Sequence, residues 1–308
     1  MAMLLADVGG TNARLALARN GVIDESSVTR YRGDDYDSFD KVVQTYLAEQ
    51  DNPRLSAVCV AVAGPVSGGK ASLTNRDWDF SEDRLARLTD ADQVRLINDL
   101  TALGYATDRL SPEGLSMLRA APAHRALNGQ SLVVGAGTGF NVCPVHQMPA
   151  GGVLCREAEE GHTSLPANIA ERLADRVGAA NMAAFFSTEE TFAGRGLAQM
   201  HRALHGVDVD RAETISNAAM QGDPQAEETY RLFTELFGLL LRELALRFMP
   251  LDGMYLAGSV ARSFAHRTEQ LEAAFLAEPY MRHIPENTPL LLIRDDMAAL
   301  HGCLAAIT

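Results

Sequence analysis

Apolar residues recur along this chain with the spacings of strands and helices in turn. Residues 3–8 and 14–18 are short apolar runs typical of strands, and Asn20-Gly21 is a hairpin signal that leads into a third strand. From Phe39 onward the apolar positions follow helical spacing, and residues 55–63 form a continuous apolar run. This alternation predicts layered α/β structure.

The opening pattern of the chain is repeated in its second half. Residues 132–134 and 140–145 predict two strands on either side of the turn Gly135-Ala136-Gly137-Thr138-Gly139. Residues 3–8 and 14–18 surround Gly9-Gly10-Thr11-Asn12 in the same way. The repetition indicates a duplicated architecture.

The rest of the second half is more helical. A stretch rich in Pro, Ala and Arg around residues 111–130 is expected to be a loop at a domain boundary. We therefore predict a small α/β domain over 1–106, completed by a C-terminal helix at 297–308, and a large α/β domain over 107–296. The further expected elements are helices at 167–177, 227–248 and 263–276, and strands at 71–74, 252–256 and 290–293.

The stretch "LINDLTALGYA" places an amide and a carboxylate where a strand ends. Residues 94–97 predict a buried strand that stops at Asn98-Asp99, and a helix-like apolar run follows. Asn and Asp are good helix caps, so either residue could simply begin the next helix. Catalytic groups also collect at the ends of strands in α/β sheets. The residues alone leave both interpretations open.

The two Gly/Thr turns could cradle phosphate, because glycine lets backbone N–H groups approach an anion and Thr adds a hydroxyl donor. The alternative is a pair of ordinary hairpin turns. Neither turn has the Lys of a Walker loop, and the second is followed by a strand rather than the helix of a dinucleotide-binding fingerprint. Asp7, immediately before the first turn, either holds Mg²⁺ against phosphates or caps the turn.

The composition of the chain argues against several other classes of protein. The 308-residue chain has a formal charge of −13, which argues against nucleic acid or a membrane surface as partner. Its four cysteines lack CxxC spacing, so neither a zinc site nor a disulfide framework is indicated. The N-terminus lacks the basic region of a signal peptide, and no apolar run is long enough to span a bilayer. We expect a cytoplasmic protein.

Seven motifs, in order, resemble those of bacterial glucokinases outside the repressor–kinase group, within the actin/hexokinase/Hsp70 superfamily. The resemblance covers nearly the whole chain, and the cysteine-rich zinc motif of the repressor–kinase relatives is missing. The motifs are "ADVGGTNARLALA", "LTNRDWDF", "INDLTALGYA", "GAGTGFNV", "EAEEGHTSLP", "EETFAGRGL" and "MYLAGSVARS".

The resemblance implies an α/β fold of two actin-like (ribonuclease H-like) domains with an active-site cleft between them. It implies an enzyme, an ATP:hexose phosphotransferase that converts glucose to glucose 6-phosphate with ATP and Mg²⁺. It also implies a homodimer. Other hexoses (mannose, fructose or an amino sugar) are alternative substrates, and an actin-like phosphohydrolase or a non-catalytic sugar sensor is an alternative function.

The resemblance also assigns roles to residues. Asp99 matches the catalytic base, and Asp7 is expected at Mg²⁺, directly or through water. The implied sugar ligands are Asn75, Asn98, Asp99, Glu159, His162 and Glu189. The implied nucleotide ligands are Asp7, Gly9, Gly10, Thr11, Asn12, Gly135, Gly137, Thr138, Gly139 and Gly258.

Taken singly, the sugar residues have plainer explanations. His162 would be a surface histidine, Glu159 part of an acidic loop, and Glu189 part of a helix-capping pattern. Only the ordered set of motifs favours the sugar site over these explanations.

The sequence departs from the family pattern in three places. Glu160 stands where the family has the first Gly of "EGGH", and a Gly that needs positive φ is not replaced cheaply. Ser259 replaces a Gly of the adenosine motif, and Phe140-Asn141 replaces a smaller pair. None of these departures removes a catalytic group, and two of them affect specificity.

Overall fold

A computed structural model describes residues 1–73 and 76–308. Its mixed α/β content confirms the predicted class. By packing, the chain forms two units: residues 1–111, 152–155 and 295–308 make the first, and residues 112–151 and 156–294 make the second. The domain limits expected from the sequence stay a prediction.

Within residues 1–111, the described part of the first unit contains the N-terminal strands and three α-helices that alternate with them. These three helices begin at side-chain caps, for example Ser38 before the first and Ser81 before the second. The elements are β1 (Ala2–Val8), β2 (Asn12–Arg19), β3 (Val22–Ile23), β4 (Thr29–Arg32), α1 (Phe39–Glu49), β5 (Leu55–Val62), β6 (Val66–Ser67), β7 (Lys70–Ser72), β8 (Asp79–Ser81), α2 (Glu82–Thr89), β9 (Gln93–Asn98) and α3 (Asp99–Ala106).

Three parallel strands of the first sheet end at a common edge. The sheet has the order β3–β2–β1–β5–β9, with β4 beside β2. Strands β1, β5 and β9 are parallel, and their register aligns Val8 with Val62 and Val62 with Asn98. Gly9 and Asp99, the residues that follow β1 and β9, therefore come at the same edge of the sheet.

The predicted hairpin at Asn20-Gly21 is confirmed. Both residues have positive φ, +53° and +76°, which suits a two-residue connection between β2 and β3.

The second unit carries most of the helices. A short strand at Val153–Cys155 interrupts it in sequence but packs with the first unit, as does the C-terminal helix. The elements after residue 111 are β10 (Leu115–Arg119), β11 (Gln130–Ala136), β12 (Phe140–Gln147), β13 (Val153–Cys155), α4 (Ala167–Val177), α5 (Thr188–Phe192), α6 (Gly194–His205), α7 (Ala212–Met220), α8 (Pro224–Phe248), β14 (Gly253–Ala257), α9 (Ser259–Ser263), α10 (Thr268–Phe275), α11 (His283–Glu286), β15 (Leu290–Ile293) and α12 (Ala298–Ile307).

The second sheet repeats the topology of the first. β11 pairs antiparallel with β12 across the second turn, and β14 and β15 continue the sheet in parallel with β11. The order β12–β11–β14–β15 thus matches β2–β1–β5–β9. The duplicated architecture predicted from the repeated pattern is confirmed.

In the first unit, α12 packs closely against α3. A Cβ added at Gly302 would lie 1.7 Å from the Ala102 carbonyl oxygen, so only glycine allows this approach.

Among the described residues, no helix combines the length and the apolar character that crossing a membrane requires.

Two expectations of secondary structure are wrong. The stretch 111–130 contains a strand, because Leu115–Arg119 pairs antiparallel with β15 at the sheet edge. The helical run expected over 263–276 is interrupted by a short 3-10 turn at Phe264–His266 between α9 and α10. At Leu115–Arg119, pairing with a strand far away in sequence overrides the local pattern.

Candidate active site

Two acidic side chains lie at the common edge of the first sheet. Asp7 is next to last in β1, and Asp99 is the first residue of α3. Burial and the nearby charge of Asp7 raise the pKa of Asp99 to about 6. Burial also raises the pKa of Asp7, although Arg14 and Arg30 oppose this shift. The two carboxyl groups are therefore close enough to affect each other's ionisation.

Asn98 caps helix α3, as the plainer interpretation of the sequence predicts. Its Oδ1 accepts the backbone N–H of Leu100 at 2.9 Å, and its Nδ2 donates to the Gly64 carbonyl oxygen at 3.1 Å. Asp99 Oδ1 accepts the same Leu100 N–H at 2.9 Å. Capping fixes Asn98 and Asp99 in place, and the two oxygens of a carboxylate together offer more lone pairs than one capping bond uses.

The first turn joins β1 to β2 and is held by its backbone. Gly9 N–H donates to the Asn12 carbonyl oxygen at 3.0 Å, and the Thr11 carbonyl oxygen accepts the Gly33 N–H at 2.8 Å. The Gly10 carbonyl oxygen accepts from Arg76 Nε at 3.2 Å. Thr11 itself is exposed. Asn12, expected in the turn, is instead the first residue of β2.

The second turn is shorter than the sequence predicts. Gly135 is not part of it, because Gly135 lies within β11 and pairs with Asn141. The turn itself is closed by a hydrogen bond from Gly137 N–H to the Gly139 carbonyl oxygen at 2.9 Å. Thr138 and Gly139 are exposed.

Gly258 lies directly against the second turn. Its φ of +102° belongs to glycine, and a Cβ added there would lie 2.3 Å from the Ala136 carbonyl oxygen. Ser259, the departure from the adenosine motif, is also adjacent: a Cβ added at Gly137 would lie 3.7 Å from Ser259 Oγ. The structure therefore brings the residues assigned to adenosine and to phosphate together.

Glu159 and His162 are exposed neighbours on one loop. Glu159 Oε2 lies 3.8 Å from His162 Nε2. The side chain of Asn141 anchors this loop: its Oδ1 accepts the Glu160 N–H at 2.9 Å, and its Nδ2 donates to the Ala158 carbonyl oxygen at 2.6 Å. One departure from the family pattern thus supports the loop that carries the expected sugar ligands.

Glu160 fits the loop without strain. Its backbone φ is negative, and its buried carboxylate forms an ion pair with Arg247 near the end of α8. The crowded position is Gly161, where an added Cβ would lie 2.1 Å from the Phe140 carbonyl oxygen. The loop therefore depends on the second glycine of the family motif, and the first position accepts a glutamate.

Glu189 joins the second turn to helix α6. Its Oε2 accepts the Phe140 N–H at 2.9 Å, and its Oε1 accepts from Arg195 Nη2 at 2.6 Å. Ser187 caps α5 through the Glu190 N–H at 3.2 Å, which confirms the capping pattern seen in "STEE".

The expected residues fall into two sets. The first unit contains Asp7, Gly9, Gly10, Thr11, Asn12, Asn98 and Asp99. The second contains Gly135, Gly137, Thr138, Gly139, Glu159, His162, Glu189 and Gly258. Asn75 lies outside the described residues.

Three residues that contact the expected site residues were not predicted from the sequence to have a role there. Arg14 faces Asp7 across the β1–β2 ladder, Asn141 anchors the Glu159–His162 loop, and Arg195 binds Glu189. Arg195 had one weak signal, because it is a lone cation placed between glycines just after two glutamates.

The family model for glucokinase matches residues 4–308. The glucokinase of Caulobacter sp. (strain K31) is 30% identical, over 99% of this chain and 94% of the relative. The crystal structure of a glucokinase from an Antarctic psychrotroph is similar with a TM-score of 0.85 and 27% identity, over 99% of this chain and 98% of that one.

A third similar structure is a glucokinase of the ROK family from Streptomyces griseus, in complex with glucose and AMPPNP. The structural alignment covers 100% of this chain and 99% of the Streptomyces griseus chain, with a TM-score of 0.59. Its identity is 18%, so this likeness shows the actin-like two-domain fold alone. The match along nearly the whole chain, with relatives of the same length and fold, means that this chain belongs to the glucokinase family.

Proposed function

We propose that Asp99 is the general base of the reaction that family membership gives to this chain, the ATP-dependent phosphorylation of glucose to glucose 6-phosphate. The observation that carries the proposal is the placement of Asp99: a carboxyl group at a strand end, with a pKa of about 6. A base of this pKa is ionised at neutral pH and accepts a proton more readily than an exposed Asp.

The proposed step is a direct phosphoryl transfer. The primary hydroxyl of glucose attacks the γ-phosphorus of ATP, and the bond from that phosphorus to the ADP oxygen breaks. Asp99 takes the hydroxyl proton through Oδ2, since its Oδ1 is hydrogen-bonded to the Leu100 N–H. Because such transfers need little covalent chemistry from the protein, positioning and charge supply most of the catalysis.

The proposed sugar ligands are the polar side chains that the family resemblance assigns to this role. Glu159 and His162 are exposed and lie 3.8 Å apart, so they can bind neighbouring hydroxyls. Glu189 and Asn98 are held by backbone donors and retain lone pairs for further hydroxyl donors. Asn75 is proposed as a further sugar ligand.

The two Gly/Thr turns and Gly258 are proposed to bind ATP. Exposed Thr11 and Thr138 offer hydroxyl donors, and Gly258 lies against the second turn. The complex of the Streptomyces griseus glucokinase with AMPPNP, an analogue of ATP, supports this choice of donor.

Asp7 fits a magnesium ion that is shared with a nucleotide. No cluster of three metal-ligating side chains is present in 1–73 and 76–308. Mg²⁺ commonly uses one or two carboxylates, with water and phosphate oxygens completing its coordination, so a single carboxylate such as Asp7 suffices. When bound there, the ion neutralises charge on the phosphates.

An ADP-release assay with and without a panel of hexoses tests the function. We expect ADP release that depends on glucose, with glucose 6-phosphate as product. Release of phosphate from ATP without sugar would instead indicate a phosphohydrolase, and sugar binding without turnover would indicate a sensor. Faster turnover of mannose, fructose or an amino sugar would mean that this sugar, and not glucose, is the preferred substrate.

Two further parts of the proposal concern the protein's setting. A homodimer is supported by the family resemblance and is tested by sedimentation equilibrium. A cytoplasmic location is supported by the use of ATP and is tested by cell fractionation.

A further inference from the structure

Arg195 contacts the second turn and the acidic residues beside it at the same time. Its Nη1 donates to the Thr138 carbonyl oxygen at 3.1 Å, its Nη2 to Glu189 Oε1 at 2.6 Å, and its Nε to Glu190 Oε1 at 2.8 Å. A planar guanidinium can donate in all these directions from one position, whereas an ammonium group cannot hold the same fixed geometry.

Glu189 is tied to the same turn through its other oxygen. Its Oε2 accepts the N–H of Phe140, the residue that follows the turn, at 2.9 Å. A Cβ added at Gly139 would lie 2.8 Å from Glu189 Oε2, so the carboxylate and the turn are in close contact. The Gly194 N–H adds a bond to the Gly137 carbonyl oxygen at 2.8 Å. The segment from Glu189 to Arg195 cannot shift without moving the turn.

Charge gives Arg195 a second effect. Glu189 and Glu190 place two carboxylates beside a turn that is proposed to receive the phosphates of ATP. The hydrogen bond from Arg195 lowers the pKa of Glu190, so the ion pair of Glu190 with Arg195 stays charged on both sides at neutral pH. The guanidinium offsets the repulsion that the two carboxylates would exert on phosphate.

We infer that Arg195 is a positioning residue that couples hexose binding at Glu189 to ATP binding at the second turn. The inference rests on the proposed function, because it takes Glu189 as a sugar ligand. Hexose that orders Glu189 also orders Thr138 and Gly139 through Arg195. By linkage, each substrate then raises the affinity for the other by the same factor.

The test measures binding of AMPPNP with and without glucose, and of glucose with and without AMPPNP, by calorimetry. In the unaltered protein we expect each ligand to tighten the other by roughly fivefold or more, a usual size for coupling between sites. Arg195→Gln should bring this factor close to one and raise the KM of both substrates. Arg195→Lys restores the charge but not the planar geometry, so it should recover ATP affinity without recovering the coupling.

Arg202→Gln is the matched control. Arg202 lies on the same helix and pairs with Asp208 at 3.3 Å, but its side chain is 69% exposed. This variant removes an arginine ion pair from α6 and should leave the coupling and both KM values unchanged.

Several results would overturn the inference. One is a coupling factor near one in the unaltered protein, and another is an unchanged factor in Arg195→Gln. A lower Tm with unchanged coupling would mean that Arg195 only stabilises the fold. The binding measurements need no turnover. Intact coupling without glucose phosphorylation would therefore count against the proposed function alone, and lost coupling in an active enzyme would count against this inference alone.

Discussion

The carboxyl group of Asp99 lies within the electrostatic influence of Asp7. Asp7 is next to last in β1 and Asp99 follows β9, and the parallel strand β5 between them brings both to one edge of the sheet. Burial and the Asp7 charge raise the pKa of Asp99 from 3.8 to about 6. The placement that favours proton transfer also makes the ionised Asp99 unfavourable for the folded state.

Replacing Asp99 by Asn tests the proposed base. Asn keeps the size and the acceptor for the Leu100 N–H but cannot take a proton. We expect kcat to fall by about 10²–10⁴, the usual range for one general base, while glucose binding changes only a few-fold. Steady-state kinetics and calorimetry measure the two effects, with Asp92→Asn, an exposed position in the same unit, as control. Turnover within a few-fold of the unaltered enzyme would leave Asp99 as a helix cap only.

The same variant should be more stable at neutral pH. The pKa of Asp99 is higher in the folded protein than the ordinary value of 3.8, so stability is lost as pH rises through about 6. Asn carries no charge at any pH. We expect Asp99→Asn to raise the free energy of unfolding at pH 8 by the order of 1–3 kcal/mol and to change it little near pH 4. Urea unfolding at both pH values measures this, and equal differences at the two would contradict the pKa shift.

The two turn hydroxyls should affect ATP and not glucose. Thr11→Val and Thr138→Val each remove a proposed donor to phosphate, and a hydrogen bond to a charged group contributes about 1.5–3 kcal/mol. We therefore expect the KM for ATP to rise roughly tenfold or more in each variant, with the KM for glucose nearly unchanged. Thr214→Val, exposed on α7, is the control. Normal ATP kinetics in both turn variants would remove the turns from the nucleotide site.

The Glu159–His162 loop should affect glucose and not ATP. In the proposed site, Glu159→Gln and His162→Ala each leave a sugar hydroxyl without a partner, so the KM for glucose should rise in both. Asn141 holds the loop through backbone groups, so its fold should survive either change. Unchanged glucose kinetics in His162→Ala would place this loop away from the sugar.

The ion pair between Glu160 and Arg247 should stabilise that same loop. Arg247→Ala leaves the buried Glu160 carboxylate without its partner, and the half-exposed arginine moderates the loss to about 1–3 kcal/mol. We expect lower stability and a higher KM for glucose, and partial recovery when Glu160→Gln is added. Arg231→Ala, exposed on the same helix, is the control. An additive effect of the two changes would show that the pair does not interact.

The sequence alone predicted the elements that local pattern specifies. The helix Ala167–Val177 and the strand Leu290–Ile293 have the bounds expected from apolar spacing. The antiparallel pairs β1–β2 and β11–β12 also follow from the local sequence, because in each a strand, a glycine-containing turn and a second strand are consecutive along the chain. Asp7 and Asp99 could be identified from the sequence because each lies where a local apolar run, and therefore a predicted strand, ends.

Tertiary structure decided the contacts between residues far apart in sequence. The strand Leu115–Arg119 was missed because it forms by pairing with a strand near the other end of the chain. Glu160 finds Arg247 on α8, and Glu189 meets the turn at Phe140, through packing that no local pattern encodes. The raised pKa of Asp99 likewise depends on burial and on Asp7, which lies two strands away in the sheet. Spacing along the chain identifies which groups are available, but their surroundings set their charge and their partners.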